Sequence, residues 1–123
     1  MFEGLRKQTA AELKRFQQTA AAIAKIDVLR SFAEVSVNNR YTRPLVNDGG
    51  ALKIINGRHP VVEQVISTPF VSNDTLLDMQ ENRCAVITGP NMAGKSTYMR
   101  QVAIISLMAQ PGGVVRAQAA EVG

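Results

Sequence analysis

Between Phe2 and Asn38 apolar residues recur mostly three or four positions apart, at Leu5, Leu13, Phe16, Ala20, Ile23, Ile26, Leu29, Ala33 and Val35. Charged and amide residues fill the gaps, and neither Pro nor any Gly after Gly4 interrupts the run. This spacing lays one stripe along a 3.6-residue helix, so it predicts a long amphipathic helix with Asp27 as its candidate break point. At about 1.5 Å per residue it spans on the order of 40 Å or more. Its basic residues, Lys7, Lys14, Arg15, Lys25 and Arg30, alternate with Glu3, Glu12, Asp27 and Glu34. Mixed signs at such spacing describe a solvated face rather than a track for nucleic acid.

The pattern changes after Asn39. Arg43-Pro44, Asn47-Asp48-Gly49-Gly50 and Gly57-Arg58-His59-Pro60 are turn signals. Between them Leu52-Lys53-Ile54-Ile55 is strand-like, and Val61 to Val65 suits a short helix. Phe70-Val71 and Thr75-Leu76-Leu77 read as edge strands around Ser72-Asn73-Asp74. Cys84-Ala85-Val86-Ile87-Thr88 is a short apolar run preceded by Gln80-Glu81-Asn82-Arg83, as a buried strand would be. From Ser96 to Gln110 there is no Gly or Pro. Tyr98, Val102, Ile105 and Ala109 mark one helical face there. Met99, Ala103, Ile104 and Leu107 make much of the rest apolar, which predicts a helix buried nearly all round. Pro111-Gly112-Gly113 ends it.

Composition adds little. The 123 residues suffice for one domain, 46% are apolar, and the net charge of +4 permits but does not demonstrate contact with nucleic acid. No apolar run is long enough to cross a membrane, and no signal-peptide pattern opens the chain, so a soluble intracellular protein is expected. The one cysteine, Cys84, has no partner for an internal disulfide and reads as a small core residue rather than a nucleophile. His59, in its Gly-Arg-His-Pro turn, reads as structural rather than as a catalytic base.

One segment carries chemistry. Gly89-Pro90-Asn91-Met92-Ala93-Gly94-Lys95-Ser96 is a complete Gly-x-x-x-x-Gly-Lys-Ser phosphate-binding loop, set between the apolar run and the helix. In such a loop the glycines let backbone N–H groups turn inward onto phosphate oxygens, and the following helix offers its positive end. Lys95 would reach the β- and γ-phosphates, and the Ser96 hydroxyl would ligate Mg²⁺. Asn91 has two readings: its amide contacts the γ-phosphate or positions water, or it serves the turn. Phosphoryl transfer also needs a second acidic ligand and a group that orients water. After Ser96 the only acidic residue is Glu121, with no Asp-Glu pair behind an apolar strand. A fragment is therefore expected, weak or inactive in hydrolysis by itself.

The loop and its exit, Thr97-Tyr98-Met99-Arg100-Gln101, resemble those of the MutS mismatch-repair ATPases. Gly57-Arg58-His59-Pro60-Val61-Val62-Glu63 and Pro69-Phe70-Val71-Ser72-Asn73-Asp74 are similar to that family's upstream blocks. Leu29-Arg30-Ser31-Phe32-Ala33-Glu34-Val35 and Tyr41-Thr42-Arg43-Pro44 resemble its lever helix and the entry to the ATPase domain. The resemblance implies an α/β fold: a helical lever segment over 1–40, then the N-terminal part of an ABC-class P-loop NTPase domain over 41–123. It implies ATP and Mg²⁺ as cofactors, with Gly89 through Thr97 around the phosphates and Lys95 and Asn91 at the reacting end. Phe70 and Val71 would pack on the adenine; for Phe70 plain core packing stands beside that reading.

By the same resemblance the whole protein is bacterial, cytoplasmic and nucleoid-associated, and not a membrane protein. It forms a homodimer on mispaired double-stranded DNA, switches a clamp with ATP and hands on to downstream repair factors. The tail departs from the family pattern. Pro111, Gly113 and Arg116 stand where a larger apolar residue, a Ser or Cys, and a Pro are expected. Two other readings stay open: a nucleotide-binding or dimerisation module without turnover, and a paralogue acting on recombination junctions or stalled ribosomes.

Overall fold

A computed structural model describes residues 2–123. The chain divides into two compact units, one up to Glu34 and one over Val35–Gly123. Among its described residues the first unit is helical apart from one turn. Helix α1 (Phe2–Ala11) ends at a turn on Glu12, and α2 (Leu13–Asn39) follows. The break therefore falls at Glu12, where its N–H reaches back to the Thr9 carbonyl, and not at Asp27. No residue of α1 or α2 is buried; the apolar stripe (Leu5, Leu13, Phe16, Ile23, Ile26, Leu29) stands in solvent beside the charges.

The second unit is a mixed α/β layer. Its strands are β1 (Leu45–Val46), β2 (Leu52–Gly57), β3 (Asn73–Leu77) and β4 (Ala119–Val122), in the order β1-β4-β2-β3. Only β1 and β4 run parallel; β2 pairs antiparallel with both β3 and β4. A doubly wound parallel sheet is thus not what these residues build. In β2 the buried residues are Ile54 and Gly57, three positions apart, so the two-residue alternation of a regular strand is broken between them. Asn56, in the left-handed region at φ 49°, marks an irregularity in the β2–β3 register between Ile54 and Gly57. Its N–H donates to Asp74 Oδ1 at 2.7 Å, which ties the kink to β3.

Two further helices complete the unit: α3 (Val62–Val65) and α4 (Lys95–Ala109). Helix α4 packs on β2. Its buried residues Gln101, Ile105 and Ala109 are four apart, and Val102 and Met108 flank them. Around that face gather Ile54, Val115, Ala117, Ala120 and Val122, which form the core. The opposite side is open, with Met99 and Leu107 exposed, so α4 is buried along one face and not all round.

The Cys84–Thr88 run is a larger departure. It belongs to no strand, and every residue in it is exposed. A strand must exchange backbone hydrogen bonds with a neighbour. Among the described residues no strand pairs with it, although β3 keeps one edge open. Cys84 accordingly is an exposed thiol rather than a core residue.

The tail after α4 is well tied. Gly112 adopts φ 79°, and the Thr42 and Val115 backbones bridge in both directions at 2.9 Å. At Gly113, where the resemblance leads one to expect Ser or Cys, a Cβ would stand 2.6 Å from the Met108 carbonyl oxygen. Arg116 has an electrostatic role, described below.

Candidate functional site

The loop 89–94 joins the open 84–88 segment to the first turn of α4. Gly94 sets the geometry. Its φ of 85° is one that a side chain would strain, and its carbonyl accepts the first helical bond, from the Tyr98 N–H at 2.9 Å. The N–H groups of Lys95, Ser96 and Thr97 are therefore left without intrahelical acceptors, as at any helix start. Together with the aligned peptide dipoles they favour an anion at this end of α4. Lys95 Nζ donates to the carbonyls of Gly89 and Pro90 and so closes the neck of the loop with its own charge. Met92 sits at the loop's tip in the left-handed region (φ 62°), fully exposed, as are Asn91 and Ser96.

A cleft of about 570 Å³ opens beside this helix start. Gly94, Lys95 and Tyr98 line one part of it, and Phe70, Val71 and Asp74 another. The structure thus brings Phe70 and Val71 to the same cleft as the end of the loop. Neither lies in a strand: β3 begins only at Asn73, so the expected edge strand at Phe70-Val71 is irregular chain. The wall behind the cleft is fixed by Tyr98, whose Oη lies 2.9 Å from Thr75 Oγ1 across the gap between α4 and β3.

His59 is held as a structural residue. It is buried, and its Nδ1 accepts from the Val61 and Val62 N–H groups at 3.3 Å, capping the short α3. Glu121, the only acidic residue after Ser96, is committed elsewhere. It lies in β4 and its Oε1 accepts from Asn47 Nδ2 at 2.9 Å. No group of three or more His, Cys, Asp or Glu side chains forms a metal cage among the described residues.

Sequence reading missed an ionic cluster. Glu63 of α3 accepts from Arg58 Nε at 2.6 Å and from both Nε and Nη2 of Arg116, at 2.6 and 2.7 Å. The bidentate Arg116 pair, ahead of Arg58, holds the Glu63 carboxyl below its ordinary range. Arg116 Nη1 also donates to the Arg40 carbonyl at 3.1 Å. Arg58 meanwhile places its guanidinium carbon 5.3 Å from the centroid of the Phe70 ring. No periodic signal announces such contacts: Arg116 lies 53 positions from Glu63, and the five-residue step from Arg58 to Glu63 matches neither helical nor strand spacing. Gln101 was missed for another reason. It is a polar residue on the apolar face, in line with Ile105 and Ala109, fully buried, and neither amide atom has a hydrogen-bond partner.

The unit is therefore a mixed α/β domain that presents a glycine-rich loop and lysine at a helix start, beside a cleft with an aromatic wall. Residues 85–123 match the family model for MutS domain V. Along its whole length the chain is 55% identical to the DNA mismatch repair protein MutS of Acetivibrio thermocellus, of which it covers 14%. It is likewise 55% identical to that of Lachnoclostridium phytofermentans (13% covered), and 51% identical to that of Halothermothrix orenii (14% covered). The chain belongs to the MutS family, and it spans about one seventh of the length of these curated relatives. No helix among the described residues is long and apolar enough to cross a membrane.

Proposed function

We propose that this chain contributes the nucleotide-binding half of a P-loop ATPase site of the ABC class, within a protein that recognises mispaired DNA. The observation that carries the reading is the single cleft onto which Phe70, Val71, Gly94 and Lys95 all open. Triphosphate oxygens would sit against the N–H groups from Gly89 to Thr97, with Lys95 exchanging its loop carbonyls for the β- and γ-phosphates. The flat base would lie on Phe70 and Val71. Asn91, free of the packed core, suits contact with the γ-phosphate or its attacking water. In the whole protein, ATP binding and hydrolysis would switch a homodimeric clamp on mismatched double-stranded DNA and recruit downstream repair factors, at the bacterial nucleoid.

The residues present fit Mg²⁺ in part. Ser96 offers a hydroxyl at the first turn of α4, and a bound cation there would neutralise phosphate charge. The one carboxylate lining the cleft, Asp74, already accepts the Asn56 N–H through Oδ1. With Glu121 engaged in the sheet, this favours a second reading for residues 2–123 as they stand: a module that binds nucleotide without turning it over.

Lys95→Ala tests the site. Removing a charged donor to phosphate should weaken ATP binding roughly 10- to 100-fold, read by titration calorimetry. Unchanged affinity would mean that the loop does not hold phosphate. Turnover by the 123-residue chain at the rate of a complete ATPase would exclude the binding-only reading.

A further inference from the structure

Phe70 is an uncertain platform if left to itself. It stands on irregular chain between α3 and β3, with no ladder to fix its backbone, and it is half-buried. A ring that must receive a flat base needs a defined orientation before the base arrives. The source of that orientation is a cation beside the ring. Arg58 lies 5.3 Å from the ring centroid, within cation–π range, yet it does not line the cleft that Phe70 lines. The guanidinium therefore contacts the ring without forming part of the cleft wall.

Arg58 is itself immobilised at both ends. Its backbone N–H donates to the Arg116 carbonyl at 2.9 Å, and its Nε to Glu63 Oε1 at 2.6 Å. Glu63 is in turn clamped by the fork of Arg116, which is anchored to the Arg40 carbonyl. A planar guanidinium held in this way offers a fixed face to a ring, which a flexible ammonium does not. Arg116, one of the residues at which the tail departs from its family's pattern, thereby acquires a task.

We infer that Arg58 is a positioning residue for the base, holding the Phe70 ring through a bracket made by Glu63 and Arg116. This rests on the nucleotide reading above. It adds that preference for ATP over a bare phosphate chain depends on a side chain outside the cleft.

The test compares the affinity of the 123-residue chain for ATP and for inorganic tripolyphosphate, which lacks the base. Arg58→Met removes the charge and keeps the stem. It should weaken ATP binding roughly 3- to 30-fold, the range of a partly desolvated cation–π contact, and change tripolyphosphate binding by less than about twofold. Arg58→Lys should retain more of the ATP preference than Arg58→Met. Equal losses for the two ligands would mean that Arg58 merely supports the fold, and an unchanged ATP affinity would also overturn the inference.

If Arg58→Met does not fold, Arg58→Lys is measured in the wild-type and Phe70→Leu backgrounds. Its effect on ATP should vanish once the ring is gone, and an equal effect in both backgrounds would overturn the inference. A wild-type chain that binds neither ligand refutes the nucleotide reading. One that binds ATP more tightly than tripolyphosphate, with no response to Arg58, refutes only the bracket.

Discussion

Strand β4 and the Cys84–Thr88 run are both short and mostly apolar, and their fates differ. β4 lies between β1 and β2, and its Ala120 and Val122 are buried in the core. The 84–88 run pairs with no strand and leaves Val86 85% exposed. An apolar sequence states that a segment gains by burial. It does not state that a partner stands beside it. The packed face and the open face of this unit should therefore respond to substitution in opposite ways.

The largest contrast is expected from truncating one side chain on each face. Ile105→Ala, at a fully buried position, should destabilise the chain by about 2–5 kcal/mol, whereas Val86→Ala should stay within about 0.5 kcal/mol. Urea unfolding of both variants measures this, and a comparable loss at Val86 would show that the open run is covered in solution. Next comes Gly113→Ser, which restores a residue type the family pattern leads one to expect. With a Cβ 2.6 Å from a backbone carbonyl, it should cost about 1–3 kcal/mol.

Smaller, and of opposite sign, is Gln101→Met. Gln101 buries both amide atoms without partners, so an apolar side chain of similar length should raise stability by about 1 kcal/mol. A loss instead would reveal that the amide is satisfied by something in solution.

The smallest effects are those of pH. Glu63 has its pKa lowered, chiefly by its hydrogen bonds to Arg116. Its folded form thus binds protons less readily than its unfolded form. The stabilisation is complete above the ordinary value near 4.5 and drains away as pH falls below it. Glu63→Gln should flatten the acid limb of a stability–pH curve. Asp78, on the exposed turn before the open run, is lowered to about 2 by bonds from Asn82 and Gln80. Its contribution belongs to the window from about 4 down to 2 and should be weaker, since the group is exposed to solvent. If Asp78→Asn alters the curve more than Glu63→Gln, the open turn is more structured than the bracket.

Much of this was legible before any coordinates, because periodicity and turn chemistry are local. Helix α4 starts and ends within one residue of its expected span, and the short helix after His59-Pro60 is where the pattern puts it. Val102, Ile105 and Ala109 do face the core or its margin. The break at Glu12 was not legible, since neither Gly nor Pro marks it. The solvent side of α4 was misjudged for the reason that applies to 84–88: its apolar residues have no cover among the described residues. The site was half legible. The end of the loop, Ala93 to Lys95, and the Phe70-Val71 pair line one cleft, but Arg58, Glu63 and Arg116 carry no signal as a unit. Glu63 and Arg116 are 53 positions apart, and no spacing rule reaches that far.

The position of β4 also bears on the order in which the chain acquires its form. The strand that joins β1 to β2 is the last in sequence, and the Asn47–Glu121 side-chain bond spans 74 positions. Until residues 119–122 are available, β1 has no strand to pair with and β2 only β3. Loop-closure entropy must be met before these distant pairings return anything. Assembly of the sheet should accordingly be slow and late, with the β2–β3 hairpin forming ahead of it. On a ribosome, the glycine-rich loop would emerge before the strand that completes the sheet beneath its helix.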